Sequence, residues 1–256
     1  MPALLTANDL TVSIADKSAC RGLNLAIERG QCWGILGRNG IGKTTLLHTL
    51  AGLRAPDAGV IYLEEQPLTR LPRRHIAQSI GVLFQHSEDP FPSTVLETAL
   101  IGRHPYLNAW DWESEEDQTL ARQALAAVGM DGMAYRQAGT LSGGERQRLA
   151  IATLLTQDPQ LLLLDEPANH LDLHHQITIL DLLVRQTRER GKALLMIGHD
   201  LNLTARYCDH VLMLFGEGET LQGAASEVLT ATNLARLYGH PIRCAEVEGR
   251  RVFVAG

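Results

Sequence analysis

The sequence lacks the long apolar runs of membrane-spanning proteins and the excess of positive charge that is typical of nucleic-acid-binding proteins. Its purely apolar runs, such as residues 161–164 and 211–215, fall far short of the ~18 residues that suggest a membrane span. Its 23 Lys and Arg against 29 Asp and Glu give a net charge of −6, which argues against binding to nucleic acid phosphates. We therefore expect no membrane span within the chain and no nucleic-acid partner.

Cysteine is also scarce, and the first residues lack the features of a secretory signal. The four cysteines, at positions 20, 32, 208 and 244, form no C-x-x-C pair, and a core of this size requires no disulfides. The opening residues Met-Pro-Ala-Leu-Leu-Thr have no cationic segment ahead of their apolar residues. We expect reduced structural thiols and a cytoplasmic protein.

What the sequence does contain is a set of short apolar runs bounded by Gly, Asp or Gln. They cover residues 32–36, 80–84, 161–164, 193–197 and 211–215. Runs of this length between helix-like segments predict buried parallel strands. Residues 10–14, 23–27 and 59–63 predict half-buried strands of an antiparallel layer beside them. The 256 residues, 45% of them hydrophobic, can bury a full core as a single domain with an insertion.

The insertion is predicted between residues 87 and 157, where polar, helix-favouring segments such as 113–128 replace the apolar runs. This pattern predicts a helical subdomain over 87–157, and a core formed by residues 1–86 and 158–256.

Residues 37–44 match the phosphate-binding pattern G-x-x-x-x-G-K-[ST]. The loop comprises Gly37, Arg38, Asn39, Gly40, Ile41, Gly42, Lys43 and Thr44, and Thr45 follows it. A predicted strand precedes it and a predicted helix over 44–50 follows, which argues against a chance match in a glycine-rich turn. The glycines let backbone N–H groups face one anion, Lys43 reaches the β- and γ-phosphates, and Thr44 can bind Mg²⁺. We expect an ATP site on an α/β fold: a P-loop NTPase (RecA-like) core with an N-terminal antiparallel β layer and an inserted α-helical subdomain.

Polar side chains follow three of the predicted strands at the edge where ligands of parallel sheets bind. Asp165 is expected to hold Mg²⁺ through water, and Glu166 to act as the general base that polarises the attacking water. Gln85 is expected to sense Mg²⁺ and the water, and His199 to donate a hydrogen bond to the γ-phosphate. Taken singly, Gln85 and His199 are more often ordinary polar residues at strand ends, and Asp165 and Glu166 could equally be a strand end before a turn. The phosphate loop favours catalytic roles for Glu166, His199 and Gln85, and Mg²⁺ binding by Thr44, Gln85 and Asp165.

A second anion-binding helix start is predicted at Ser142. Glu145 lies three residues further on, which is a capping box, and a simple helix cap is the alternative explanation. Gly143 and Gly144 leave backbone N–H groups uncovered, yet the chain has a single phosphate-loop lysine. We therefore expect this helix tip to close over the ATP of a neighbouring subunit.

Together these motifs resemble the nucleotide-binding subunit of ABC transporters over almost the whole chain. The resemblance rests on GRNGIGKTT, LSGGERQR, LLLLDEP and NHLD, with Gln85 and His199 between and after them. It implies an ATP hydrolase that uses ATP and Mg²⁺ and acts as a transport-coupled translocase. It further implies integral-membrane permease subunits as partners, a periplasmic or surface substrate-binding protein as an indirect partner, and a peripheral position on the cytoplasmic face of the inner (plasma) membrane.

The same resemblance implies a head-to-tail homodimer. The tip formed by Ser142, Gly143 and Gly144 of one subunit would complete the site built on Lys43 and Glu166 of the other. Residues 169–172 would connect the two sites.

Two segments are similar to importers of iron-siderophores, haem and cobalamin, namely 102–107 followed by 113–128, and the tail 237–242. A molybdate or other metal-chelate importer, or an exporter, stays open, because such a subunit contacts the permease and not the cargo. A chromosome-maintenance ATPase is disfavoured because no heptad run separates Lys43 of the phosphate loop from Ser142. A ribosome-acting ATPase is disfavoured because that class generally has two such domains in one chain.

Three further features are specific to this chain. Ile14 occupies the position where the family usually has an aromatic residue stacked on adenine, and it provides apolar contact without a π face. His170 and His174 are spaced i,i+4 without an H-E-x-x-H pattern, so we expect a polar helix start and no protein-held metal. Residues 102–112 predict a loop with exposed aromatics, and because of that loop the helical subdomain around residues 85–112 is expected to dock a permease helix. The alternative is that these aromatics pack into the subdomain's own core.

Overall fold

A computed structural model describes residues 3–15, 17–85, 92–108 and 110–256. The strands are β1 (Leu5–Ile14), β2 (Lys17–Ile27), β3 (Cys32–Gly37), β4 (Ala58–Leu63), β5 (Gln66–Pro67), β6 (Ile80–Leu83), β7 (Leu161–Asp165), β8 (Ala193–Ile197), β9 (His210–Gly216), β10 (Glu219–Ala224), β11 (Ile242–Val247) and β12 (Arg250–Ala255). The α-helices are α1 (Lys43–Leu50), α2 (Arg73–Ser79), α3 (Val95–Leu100), α4 (Glu115–Ala127), α5 (Gly143–Gln157), α6 (Leu173–Glu189), α7 (Leu201–Tyr207), α8 (Ala225–Val228) and α9 (Ala231–Tyr238). Short 3₁₀ helices cover Leu68–Arg70, Ile101–Tyr106, Asp131–Met133 and Ala138–Thr140.

The central sheet has the strand order β10-β9-β3-β8-β7-β6. Strands β9, β3, β8, β7 and β6 run parallel, and β10 pairs antiparallel at one edge. Every residue of β3, β7 and β8 is buried, because both faces of the sheet are covered and a strand in that position must be apolar throughout. The prediction of an α/β core from the apolar runs is confirmed.

The second sheet, in the order β2-β1-β4-β5, is antiparallel throughout. Its inner face packs with α1 and one face of the central sheet to form one hydrophobic core. A second core lies between the opposite face of the central sheet and helices that include α3 to α6. The predicted N-terminal antiparallel layer is therefore present, and the central sheet lies between the two cores.

Residues 102–112 differ in part from the predicted loop. The first half is the 3₁₀ helix Ile101–Tyr106, in which the Arg103 guanidinium lies 3.9 Å from the centre of the Tyr106 ring. The Tyr106 hydroxyl donates to the carbonyl oxygen of Gln157 at 3.0 Å. These contacts fix Tyr106 within the fold, whereas Trp110 and Trp112 are 93% and 88% exposed, as predicted.

Three of the four free cysteines, Cys20, Cys32 and Cys208, are buried, and Cys244 is exposed. Burial raises the pKa of Cys20 to about 11 and that of Cys32 to about 12, so both stay protonated and unreactive at neutral pH. The expectation of structural thiols is wrong for Cys244, because β11 has almost no covering layer.

Two other findings concern membrane-spanning helices and the predicted subdomain boundary. Within the described residues, the helices are too short or too polar for any of them to span a bilayer. The predicted boundary between the core and the helical insertion, at residues 86 and 87, lies outside the described residues.

Candidate active site

The phosphate loop connects the end of β3 to the start of α1. Gly42 is the N-cap of α1 with φ 108°, and Gly40 has φ 72°, a region that L side chains rarely adopt. A Cβ atom on Gly42 would also lie 2.5 Å from the Cβ of Ala19. The first turn of α1 has no acidic residue and no side-chain cap. Its N–H groups therefore remain available to a phosphate group.

Lys43 reaches back across this loop. Its Nζ donates to the carbonyl oxygens of Gly37 at 2.8 Å and Arg38 at 3.1 Å. Burial lowers the pKa of Lys43, and the charges of Glu166 and Asp165 oppose that shift. The ammonium is thus held at the loop beside two carboxylates, where a phosphate anion would supply additional opposite charge.

Asp165, the last residue of β7, is fully buried. Neither of its carboxylate oxygens has a hydrogen-bond partner among the described residues. Burial raises the pKa of Asp165, and the Thr44 side chain is the largest of the groups that oppose the rise. A buried carboxylate without a partner is costly, and a hard oxygen ligand of this kind fits Mg²⁺.

Glu166 follows directly and is held in an unusual backbone conformation, with φ 53°. Its N–H donates to the carbonyl oxygen of Ile197 at 3.2 Å. Its two carboxylate oxygens contact His199 Nε2 and Asn169 Nδ2. A non-glycine residue at positive φ is strained and persists only where its surroundings hold it, so these contacts fix the direction of the carboxylate.

The phosphate loop and the catalytic candidates meet at one cleft. Its lining residues are Ile14, Asn39, Gly40, Gly42, Lys43, Thr44, Thr45, Gln85, Glu166 and His199. The three residues that follow separate strands in the sequence, Gln85, Glu166 and His199, are thus brought to the phosphate loop, because the carboxyl ends of parallel strands share one edge of the sheet.

Other predicted site residues lie beside the cleft and do not line it. Ile41 packs against the hydrophobic core, and Gly37 lies against Leu214, whose carbonyl oxygen would be 3.0 Å from a Cβ atom. The Arg38 guanidinium is turned away and donates to the carbonyl oxygen of Tyr238 at 2.9 Å.

Ser142, Gly143 and Gly144 are also absent from the lining of this cleft. Ser142 is the N-cap of α5, and Glu145 completes the predicted capping box. The hydrogen bond from the Ser142 backbone N–H lowers the pKa of Glu145. Ser142 and Gly143 are exposed, so this helix tip presents uncovered N–H groups on the surface.

Two residues near Glu166 escaped the sequence analysis. Gln147, in α5, donates from Nε2 to the carbonyl oxygens of Glu166 at 3.3 Å and Pro167 at 3.1 Å. Asn169 was noted only as part of the connecting loop. Gln147 lies in the polar segment after Gly144 and carries no local signal, because its role depends on how α5 packs against the end of β7.

The position of Ile14 gives a testable prediction for nucleotide selectivity. Ile14 is 38% exposed at the cleft, and its Cδ1 would lie 3.3 Å from a Cβ atom on Gly42. Ile14→Tyr should tighten ATP binding by roughly two- to ten-fold, since an aromatic contact adds about 0.5–1.5 kcal/mol beyond burial. Apparent affinities for ATP and GTP measure this effect. If neither affinity changes, Ile14 does not face the base.

Comparison with known proteins agrees with the geometry. The family described as ABC transporter matches residues 20–169. The ferric enterobactin transport ATP-binding protein of Escherichia coli (strain K12) is 36% identical over 246 residues, covering 96% of this chain and 90% of that protein. The hemin import ATP-binding protein of Burkholderia ambifaria is 36% identical over 261 residues, covering 95% and 96%. A solved dimeric ATP-binding cassette in a post-hydrolysis state with ADP and Pi superposes with a TM-score of 0.75 at 26% identity, covering 86% of this chain and 98% of that one.

Proposed function

This chain belongs to the ABC transporter family, and from that premise we propose that it powers the import of an iron-bearing organic cargo such as a ferric siderophore or haem. It is an ATP hydrolase of the importer type. The convergence of Lys43, Glu166 and His199 on one cleft carries the ATP hydrolysis. The iron-bearing cargo is supported by the relatives that transport ferric enterobactin and hemin.

Each side chain has a distinct task in ATP hydrolysis. The N–H groups of the phosphate loop and Lys43 bind the phosphates and neutralise their charge. Glu166 orients the attacking water and accepts its proton, since its carboxylate faces the cleft and is held by two side chains. His199 donates a hydrogen bond to the γ-phosphate, and Gln85, which lines the same cleft, positions the water. Mg²⁺, when bound, supplies positive charge to the β- and γ-phosphate oxygens.

Thr44 and Asp165 are the proposed Mg²⁺ residues, together with Gln85. The buried, unpartnered oxygens of Asp165 support this assignment, because a cation and its water would provide the missing partners. This arrangement leaves Glu166 free of the metal, as a general base requires.

The exposed tip of α5 supports a head-to-tail homodimer. The Ser142 backbone N–H is taken up by Glu145 in the capping box, but Gly143 and Gly144 present backbone N–H groups beside the Ser142 side chain that face no phosphate within their own chain. A partner's ATP would fill that role. The loop that contains Asn169 lies between this tip and Glu166, since a Cβ atom on Gly144 would be 3.0 Å from the carbonyl oxygen of His170. That contact supports communication between the two sites.

The remaining assignments concern organisation and partners. We propose that residues 1–86 and 158–256 form the nucleotide-binding core and that residues 87–157 form a helical subdomain that docks a permease. In this arrangement the homodimer is peripheral, on the cytoplasmic face of the inner membrane, with the substrate-binding protein reached through the permease. Molybdate import is the alternative, because a subunit of this kind contacts the permease and not the cargo.

Trp110 gives a direct test of permease docking. Its side chain is 93% exposed, and large exposed aromatics often provide much of the binding energy of an interface. Trp110→Glu should weaken co-purification with the permease by ten-fold or more, since loss of a central interface residue costs about 2 kcal/mol. Its melting temperature should not change. Leu53→Glu is the matched control, because Leu53 is 54% exposed and lies in the nucleotide-binding core, outside the helical subdomain.

The import assignment itself is tested by reconstitution. The chain should bind its permease in detergent and hydrolyse ATP faster when the loaded substrate-binding protein is added. Uptake of a labelled ferric siderophore or haem into vesicles identifies the cargo class. If the vesicles take up molybdate and no iron-bearing compound, molybdate is the cargo. If the chain binds no membrane protein, the transport role is refuted.

A further inference from the structure

Residues 231–255, which we name the C-terminal unit, comprise α9 and the β11–β12 hairpin. Among the residues that the structure describes, the two strands of the hairpin form a ladder with each other alone, as a two-stranded sheet. None of these residues lines the nucleotide cleft, and the sequence analysis did not predict the hairpin. The unit nevertheless contacts the phosphate loop through one side chain, Arg38, and the helix that follows the His199 loop through another, Asn202.

The first contact is made by Arg38 of the phosphate loop. Its Nη2 donates at 2.9 Å to the carbonyl oxygen of Tyr238, the last residue of α9. Free carbonyls at a helix C-terminus attract a cation. Gly239 caps the helix with φ 73°, and a Cβ atom there would overlap the Arg38 guanidinium. The carbonyl oxygen of Arg38 in turn accepts from Lys43 Nζ at 3.1 Å, so one residue connects α9 to the phosphate-binding lysine.

The second contact is made by Asn202, in the first turn of α7. Its Nδ2 donates to the carbonyl oxygen of Phe253 at 3.1 Å, and its Oδ1 accepts from the Phe253 N–H at 2.8 Å. The carboxamide therefore pairs with β12 as a neighbouring strand would. Phe253 is 4% exposed within the larger core, which anchors this point of the hairpin.

Asn202 is tightly linked to His199 through the helix cap between them. Asp200 Oδ1 accepts from the N–H groups of Asn202 at 2.7 Å and Leu203 at 3.0 Å. His199 directly precedes this cap. A shift of Asn202 toward or away from β12 would therefore move the imidazole relative to the γ-phosphate.

We propose that Arg38 and Asn202 are positioning residues through which the C-terminal unit sets the distance between the phosphate loop and His199. This inference rests on the proposed function, because it assumes that both loops hold one nucleotide. The two contacts act on different steps: Arg38 acts on ATP binding through the loop, and Asn202 acts on hydrolysis through His199. Small displacements matter, since a misplacement of about 1 Å can cost roughly 100-fold in rate.

The test compares steady-state kinetics of full-length variants with matched controls. Arg38→Met removes the donor to Tyr238 and should raise the KM for ATP about five-fold with little change in kcat, whereas Arg38→Lys can still donate and should restore the KM. Asn202→Asp places a carboxylate oxygen against the Phe253 carbonyl and should lower kcat about five-fold or more at unchanged KM. Asn202→Ser removes both hydrogen bonds without adding charge and should have the same effect.

The controls remove equivalent hydrogen bonds in the same part of the fold. Arg251 donates to the Ser226 carbonyl oxygen at 2.6 Å, and Asn233 Nδ2 donates to that of Val228 at 2.9 Å. Arg251→Met and Asn233→Asp should keep wild-type KM and kcat, even where their melting temperatures fall as much as those of the Arg38 and Asn202 variants.

Two results separate this inference from the function that it assumes. If the wild type hydrolyses Mg-ATP but the Arg38 and Asn202 variants match their controls in KM and kcat, the positioning role is refuted and the proposed function stands. If the wild type does not hydrolyse ATP, the proposed function itself is refuted.

Discussion

Glu166→Gln is expected to lower ATP turnover by at least about 100-fold, since general base catalysis contributes roughly 10²–10⁴-fold. The amide keeps the shape of the side chain and can still accept from Asn169 Nδ2, but it cannot accept the proton of the attacking water. ATP binding should be retained, because the phosphates are held by the loop and Lys43. Steady-state phosphate release and equilibrium ATP binding measure the two effects separately.

Glu97→Gln is the matched control for this substitution. Glu97 caps α3 through Thr94, as Glu145 caps α5, and it does not line the cleft. A glutamine there can make the same capping hydrogen bonds, so turnover should stay near the wild-type rate. If Glu166→Gln hydrolysed ATP as fast as this control, Glu166 would not be the base.

Mixed dimers of Lys43→Ala and Ser142→Ala subunits are expected to recover activity that neither variant has alone. In a head-to-tail dimer each site combines Lys43 of one subunit with Ser142 of the other. A mixed dimer therefore places both substitutions in one site and leaves the second site intact. Recovery should approach about a quarter of the wild-type rate, since half of randomly paired dimers are mixed and each retains one intact site.

Two results would contradict a site shared between the subunits. Mixed dimers that are captured in the presence of Mg-ATP with two different affinity tags, and are still inactive, would show that Ser142 does not act on the partner's ATP. Activity of Ser142→Ala alone at the wild-type rate would place the helix tip outside the reaction. Each homodimer serves as the control, because both of its sites are defective.

The parts of the fold that could be predicted depend on local pattern. The strands β3, β7 and β8 were found because a buried parallel strand is apolar throughout. The phosphate loop was found because its glycines at positive φ have no substitute. The family assignment and the ATP hydrolase activity were confirmed by the relatives, whereas the roles of individual site residues stay predictions.

The parts that escaped prediction depend on contacts between distant segments. Arg38 belongs to the phosphate-binding pattern, yet its guanidinium lies on Tyr238, which follows 200 residues later. Gln147 and Asn202 are polar helix residues whose partners are defined only by packing. The 3₁₀ helix at Ile101–Tyr106 forms around Pro105 and is fixed by Arg103 and Gln157, a long-range arrangement that a loop-like composition conceals.

The central claim is that two copies of this chain enclose ATP between the phosphate loop and the tip of α5. Measuring the mass of the protein in solution, with and without nucleotide, tests this claim most directly. Glu166→Gln should have the mass of one 28.1 kDa chain without nucleotide. With Mg-ATP it should reach about twice that mass, because ATP binds without being hydrolysed and links both subunits. Adding Ser142→Arg to the same protein should prevent the change. A monomer that binds ATP without any change in mass, or a dimer unaffected by ATP and by Ser142→Arg, would contradict the account.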